Sequence, residues 1–335
     1  MEQFLRSQKQ TIYSFLCEFL ESKEKELKEV NGYGPDVIKR LVRFLKNGKM
    51  IRGGLIILTH EMYSGKYIND AIRTASALEL FHSSFLIHDD IIDRDTLRRG
   101  EKTIGQQYKE LGEQKKFSDS SHFGNSMAIG VGDIGFFLGY ELLSSLECEP
   151  RIASKLLHVC SKELIKVGLG EMQDVHFGFQ KESPSEDNIL TMYRYKTARY
   201  TFSLPLMLGA ILVDKTSDTL QNLDILGEYL GLIFQIKDDE LGIYGTQDEI
   251  GKPVGSDIRE GKKTLFLTQF YGKKVIHNVD AVRSFLETTG TRKRINELVQ
   301  RYEKDVKNRI DTLDIAQEYK ELFYSLLSYS IGRKK

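Results

Sequence analysis

Residues 76–100, SALELFHSSFLIHDDIIDRDTLRRG, decide the reading of this chain. Apolar residues recur at helical spacing up to Asp89 and Asp90, and a basic loop carrying Arg98 and Arg99 follows. Asp89 and Asp93 are four residues apart, so on a helix their carboxylates stack on one face. Like charges at that spacing repel by roughly 0.2–0.5 kcal/mol. Carboxylates set on an apolar helix in this way call for a cation. Mg²⁺ commonly binds one or two carboxylates together with phosphate oxygens, and arginine grips phosphate through forked, charge-assisted hydrogen bonds. A lone DDxxD is usually a solvated helix end. Beside two arginines it points to a magnesium–diphosphate site.

Outward from this stretch, the composition is that of an ordinary globular protein: 335 residues, 40% hydrophobic and 29% charged. The 48 basic and 48 acidic residues cancel, so the chain exerts no global attraction on nucleic acid or on an anionic membrane. Five prolines, no tryptophan and long runs of helical period predict an all-α protein. Cys17, Cys148 and Cys160 form no close pair, and their odd number argues against a disulfide framework. A reducing cytoplasm fits. The N-terminal stretch is amphipathic and charged, unlike a signal peptide. No uninterrupted apolar run is long enough to predict an integral membrane segment.

The pattern predicts a first helix over 3–30, with Leu5, Ile12, Leu16, Phe19 and Leu20 as its apolar stripe, and a break at NGYGPD (31–36). A helix over 36–45 leads into NGKMIRGG (47–54), where glycines flank Lys49 and Arg52 and allow close backbone approach to a ligand. Helices over 55–63 and 71–93 follow, then a polar surface loop over 101–126 and a buried helix over 127–146. Within that helix Asp133 reads as an N-cap or a packing residue. A helix from 152 carries Glu171 and Asp174 on one face. Over 193–212 another helix contains Pro205, whose missing N–H predicts a kink. Lys196 and Thr197 lie roughly two turns before it. A second acidic pair, Asp238 and Asp239, stands in IFQIKDDELGIYG (233–245), with Gly242 where a third acid could stand. Asp238 is then expected to ligate largely alone, with Asp239 turned about 100° away toward a water or a lysine.

The two acidic motifs, NGKMIRGG, the Lys196–Thr197 pair and the basic loops GKP (251–253) and REGKK (259–263) resemble, in that order, the trans-isoprenyl diphosphate synthases. The resemblance runs from residue 47 to residue 264. It implies one all-α domain over 1–335, a large helical bundle around a deep central cavity, with the acidic motifs facing each other across its mouth. The implied reaction is a Mg²⁺-dependent 1'–4 trans condensation. Isopentenyl diphosphate joins an allylic diphosphate (dimethylallyl, geranyl or farnesyl) in a homodimeric enzyme. By the same resemblance Asp89, Asp90, Asp93, Asp238 and Asp239 bind the Mg²⁺ ions, three per active site. Lys49, Arg52, His82 and Arg99 hold isopentenyl diphosphate; Arg98, Lys196, Lys252 and Lys262 neutralise the allylic diphosphate. Thr197 and Gln235 lie beside the reacting allylic group, and Glu171 and Asp174 face metal-bound water. His88 reads as structural.

Product length follows from the residues before the first motif. Phe85, Ser84 and Phe81 stand four, five and eight positions before Asp89. Small Ser84 leaves room beside Phe85, which favours a twenty-carbon geranylgeranyl product over the fifteen-carbon farnesyl alternative. Two rivals remain in view. A class I terpene cyclase would need a second motif with Asn or Asp, Ser or Thr, and Glu at four-residue spacing, which FQIKDDELG lacks. A non-catalytic regulatory subunit would carry damage to the first motif or the basic loops, and both are intact.

Overall fold

The computed structural model describes residues 1–246, 255, 258, 262–268 and 278–332. Two compact units emerge from its internal contacts: Glu2–Glu61 with Gly65–Ser154, and Lys155–Lys335 with Met1 and Met62–Ser64. Both are helical, and among the described residues the strands amount to one two-stranded hairpin. The all-α expectation holds.

The first unit contains α1 (Glu2–Lys28), α2 (Tyr33–Lys46), α3 (Ile51–Met62), α4 (Ile68–Ile92), α5 (Ile104–Gln114) and α6 (Ser120–Ser144). In α1, Leu5, Ile12, Leu16 and Leu20 are buried at helical spacing, each worth about 1.5–3 kcal/mol of apolar transfer. Helix α4 is covered on nearly every side, with Ala71, Ala75, Leu78, Phe81, Ser84 and Ile87 all buried, as befits a core helix. Its partner α6 runs alongside at close range because three glycines of α6 lack the Cβ that would collide. A Cβ at Gly132 would lie 2.3 Å from the His88 ring, one at Gly135 2.3 Å from Ser84 Oγ, and one at Gly139 2.6 Å from Phe81.

That approach corrects the expectation about Ser84. Its small side chain is fully buried against Gly135, so no room opens beside Phe85 there. The aromatic rings close the same seam: Phe85 meets Phe136 edge-on at 4.9 Å, and Phe81 lies 4.9 Å from Tyr140. The polar stretch 101–126 is also corrected, being mostly helix. Thr103 caps α5 by accepting from Gln106 N–H, and Asp119 caps α6 by accepting from His122 N–H. Asp133 lies in the middle of α6 and is not an N-cap. By length and composition alone α6 could span a bilayer, although no uninterrupted apolar run predicted it. Nearly half of that span is buried, and it packs along α4 and α5.

Helix α7 (Pro150–Phe179) leads into the second unit, which holds α8 (Glu186–Tyr193), a π-helical stretch over Arg194–Ser203, α9 (Leu204–Leu212) and α10 (Ser217–Tyr244). Three further helices follow, Val279–Thr288, Thr291–Thr312 and Gln317–Ile331. Every residue of α9 is buried. Thr216 caps α10, and Leu223, Leu226, Leu230, Ile233 and Ile236 form its apolar face. This face packs against the π stretch, α9 and the C-terminal helices. The N-terminal amine of Met1 bonds to Ser325 Oγ at 3.1 Å.

Candidate active site

In the first unit, α4 carries an acidic end and a basic flank. Asp89 and Asp90 occupy its last turn and Asp93 its C-cap. Asp93 N–H reaches the Asp89 carbonyl at 2.8 Å, so the four-residue stacking persists to the helix end. The chain leaves through a Schellman arrangement: Asp95 N–H bonds the Asp90 carbonyl at 2.8 Å, and Arg94 N–H that of Ile91 at 3.3 Å. Arg94, at φ 58°, takes the left-handed position that glycine usually fills.

A hairpin then pairs Leu97–Arg98 with Glu101–Lys102. Both turn residues, Arg99 (φ 55°) and Gly100 (φ 78°), are left-handed, as a type I′ connection requires. The turn folds Arg98 back over the acids. Its Nε lies 2.6 Å from Asp90 Oδ1, and its Nη2 lies 3.2 Å from Asp89 Oδ2 and 3.3 Å from Asp95 Oδ2. Arg98 was expected at a phosphate; here it balances three carboxylates. Asp90 is 3% exposed, and its burial pushes the carboxyl up to about 6 against the pull of Arg98.

The other oxygen of Asp90, Oδ2, is buried with no partner. A desolvated carboxylate oxygen without a donor, beside Asp89, fits a hard divalent cation such as Mg²⁺. Among the described residues no His, Cys, Asp and Glu side chains converge into a preformed metal cage. Mg²⁺ does not need one, since it takes few protein carboxylates and completes its shell with water and phosphate.

The basic flank lies up the same helix. Gly53 N–H, near the start of α3, donates to Glu79 Oε1 at 2.8 Å. Glu79 is buried, and that burial raises its pKa although Arg52 and Arg99 pull it down. One turn on, His82 is held well below the ordinary histidine range, first by burial and then by Arg52, Arg99 and Arg98. A neutral imidazole among guanidinium groups can hydrogen-bond an anion without adding charge. The Arg99 guanidinium also reaches the glycine turn, since a Cβ at Gly48 would lie 3.4 Å from its Nη1. Lys49 stands exposed in that turn. Arg52, Arg99 and, more weakly, Arg98 thus act on His82, and a small cleft lined by Arg98 and Arg99 adds Arg43 and Lys102. His88 instead faces α6, 3.2 Å from the Ile129 carbonyl and 3.5 Å from Asp133 Oδ1.

The second unit presents the remaining candidates. Lys196 and Thr197 sit in the π stretch, and Lys196 Nζ is 2.5 Å from Asp174 Oδ2 and 3.0 Å from Glu171 Oε2. Glu171 and Asp174 do share a face, and they use it to grip this ammonium. The kink expected at Pro205 takes another form. Leu204 N–H bonds to the Arg199 carbonyl, five residues back, and the helix changes winding before the proline. Asp238 is half-buried on α10. Asp239 is buried, accepting from Gln235 Nε2 at 2.9 Å and from the Tyr193 phenol. Tyr193 is a partner of Asp239 that sequence spacing could not reveal. The same phenol oxygen accepts Leu265 N–H at 3.1 Å. Lys262 is half-buried in the segment leading to Leu265; Lys252 lies outside the described residues.

The family model described as Polyprenyl synthetase matches residues 36–302. A short chain isoprenyl diphosphate synthase of Methanocaldococcus jannaschii is 33% identical over 272 residues, 81% of this chain and 74% of that protein. A geranylgeranyl pyrophosphate synthase of Geoglobus acetivorans is 33% identical over 292 residues, 85% of this chain and 81% of that protein. Among solved structures, a geranylgeranyl pyrophosphate synthase of Corynebacterium glutamicum, complexed with isoprenyl diphosphate and magnesium, superposes with a TM-score of 0.90 at 23% identity. That match covers 100% of this chain and 99% of the other, and it establishes the fold.

Proposed function

The chain belongs to the polyprenyl synthetase family and is a trans-prenyltransferase, and from that premise we propose the substrates, the residue roles and the product. The substrates are isopentenyl diphosphate and an allylic diphosphate. One observation carries the reading: a single helix, α4, presents a neutral His82 among Arg52, Arg98 and Arg99 and, two turns on, Asp89 with the unpartnered Oδ2 of Asp90. The first cluster suits a diphosphate directly, the second a diphosphate carried on a cation.

In this reading Lys49, Arg52, His82 and Arg99 bind isopentenyl diphosphate. Asp89, Asp90, Asp93 and Asp238 hold Mg²⁺, with three ions as the family's number. Bound there, Mg²⁺ would supply positive charge against the diphosphate leaving group. Lys196, Lys252 and Lys262 add positive charge around that leaving group, which stabilises charge as it develops. Asp239 supports Gln235 and is itself fixed by Tyr193. The allylic C–O bond breaks with its electron pair on the diphosphate, the isopentenyl double bond attacks the allylic carbon, and a proton passes to the released diphosphate. No side-chain base is required. Water must be excluded while the cation exists.

The product is geranylgeranyl diphosphate, in keeping with the names of several relatives; farnesyl diphosphate is the alternative. The enzyme works as a homodimer in a reducing cytoplasm. Supporting the dimer, Ile165, Leu169, Met172 and Phe179 form an exposed apolar stripe along α7, and α6 exposes Ile129 and Phe137. Supporting the compartment, all three cysteines are free. The test is turnover of labelled isopentenyl diphosphate with each allylic primer, with chromatography of the product. Incorporation with no primer would overturn the reading.

A further inference from the structure

We propose that Arg199 is a positioning residue for prenyl transfer: its ion pairs to α7 and α10 hold Arg194–Ser203 in the π-helical winding that aims Lys196. The inference rests on the proposed role of Lys196. π-helix normally occurs as a single turn inserted in an α-helix. Here it runs for ten residues, and a winding that long needs support from outside its own backbone.

Two supports converge on it. The Arg199 guanidinium meets carboxylates from both neighbouring helices. Its Nε lies 2.9 Å from Glu163 Oε2 on α7; its Nη2 lies 2.9 Å from Asp224 Oδ1 and its Nη1 3.2 Å from Glu228 Oε2, both on α10. Such a fork of fixed donors can satisfy several carboxylates at once, which a lysine cannot. The same helices also press their backbones on the widened coil. A Cβ at Gly170 of α7 would lie 2.7 Å from Lys196 N, and one at Gly231 of α10 would lie 2.3 Å from Ala198 Cα.

The consequence for Lys196 is directional. Each π turn carries one residue more than an α turn, so a π turn that reverted would rotate the residues beyond it by about 100°. Lys196 stands three residues before Arg199 and could not keep its present contacts with Glu171 and Asp174 through such a rotation. The glycines make space for the coil; the arginine fixes its winding.

The experiment compares wild type with Arg199→Gln and Arg199→Lys by steady-state kinetics for each substrate and by hydrogen exchange. For Arg199→Gln, kcat is expected to fall at least tenfold and KM for the allylic diphosphate to rise. KM for isopentenyl diphosphate stays within twofold. Amides of Lys196–Ser203 exchange at least tenfold faster while α9 is unchanged, and Arg199→Lys recovers only part of the loss. Should Arg199→Gln fail to fold, Asp224→Asn, which removes a carboxylate paired with Arg199, is read by the same criteria with a smaller effect. A folded variant with wild-type kinetics and exchange overturns the proposal, as does a fall in all parameters proportional to lost folded protein. An inactive wild type would instead overturn the prenyltransferase reading, so the two failures are distinct.

Discussion

The phenol of Tyr193 donates to the carboxylate of Asp239, and the same oxygen accepts the backbone N–H of Leu265. With Gln235 on its other oxygen, Asp239 is committed to protein donors. In the proposed site the burden of metal binding in the second motif therefore falls on Asp238. Asp238→Ala is expected to lower turnover by orders of magnitude with far-ultraviolet circular dichroism unchanged, because it strips transition-state charge stabilisation and leaves packing intact. Tyr193→Phe removes only one bond that fixes Asp239, so its loss of turnover is smaller than that of Asp238→Ala. Equal losses for the two variants would refute this division of labour.

Glu79 ties the first turn of α3, which carries Arg52, to the helix that carries His82. Glu79→Ala leaves the Gly53 N–H without its 2.8 Å acceptor, a cost of about 1–3 kcal/mol for a buried donor. It also removes the carboxylate between Arg52 and Arg99. Urea unfolding should show that loss, and KM for isopentenyl diphosphate should rise more than KM for the allylic substrate. A stability loss with both KM values unchanged would reduce Glu79 to a packing residue.

His60 and His82 are both held below the ordinary histidine pKa, chiefly by burial. Unfolding releases them to titrate near pH 6.5, so the unfolded chain binds more protons just below that pH. Stability is therefore full above about pH 6.5 and declines as the pH falls toward the folded-state values. His60 is 1% exposed and neither ring nitrogen has a partner, which makes it the cleaner probe. Thermal midpoints at pH 7.5 and 5.5 should differ less in His60→Asn than in wild type; an identical difference would assign the effect elsewhere.

Phe85→Ala tests the product ruler. Truncation opens volume on α4 beside Phe136, and a large-to-small change of this kind leaves a cavity that neighbours fill only in part. Longer products than those of wild type are expected by chromatography. An unchanged length would mean that the growing chain does not pass this ring.

Much of this was legible in the sequence where one element carries its own information. The helix expected over 71–93 is Ile68–Ile92, and the one expected over 3–30 is Glu2–Lys28, because apolar period fixes such helices locally. The stretch 101–126 misled because its polar and small residues serve two purposes. Thr103 and Asp119 are caps, and Gly124 lets α6 approach Gly105 of α5. Of the site, the residue types were readable and their partners were not. Tyr193 is 46 residues from Asp239, and Arg199 is 36 from Glu163; such pairings are set by packing. Pro205 gave a correct warning of irregularity and the wrong form for it.

The acidic end of α4 has a thermodynamic corollary. Asp89 and Asp90 crowd the last turn of a helix that offers no basic residue there, where the macrodipole already places partial negative charge. Arg98 offsets only part of this. The fold is thus least comfortable where its chemistry is concentrated, and a cation bound there relieves charge that unfolding would otherwise disperse. If this is the magnesium site proposed above, the melting temperature rises with free magnesium, with about 2.7 kcal/mol of added stability at a hundredfold excess over Kd. A magnesium titration of the melting temperature without substrate therefore reads the proposed site directly, and an unchanged midpoint would count against it.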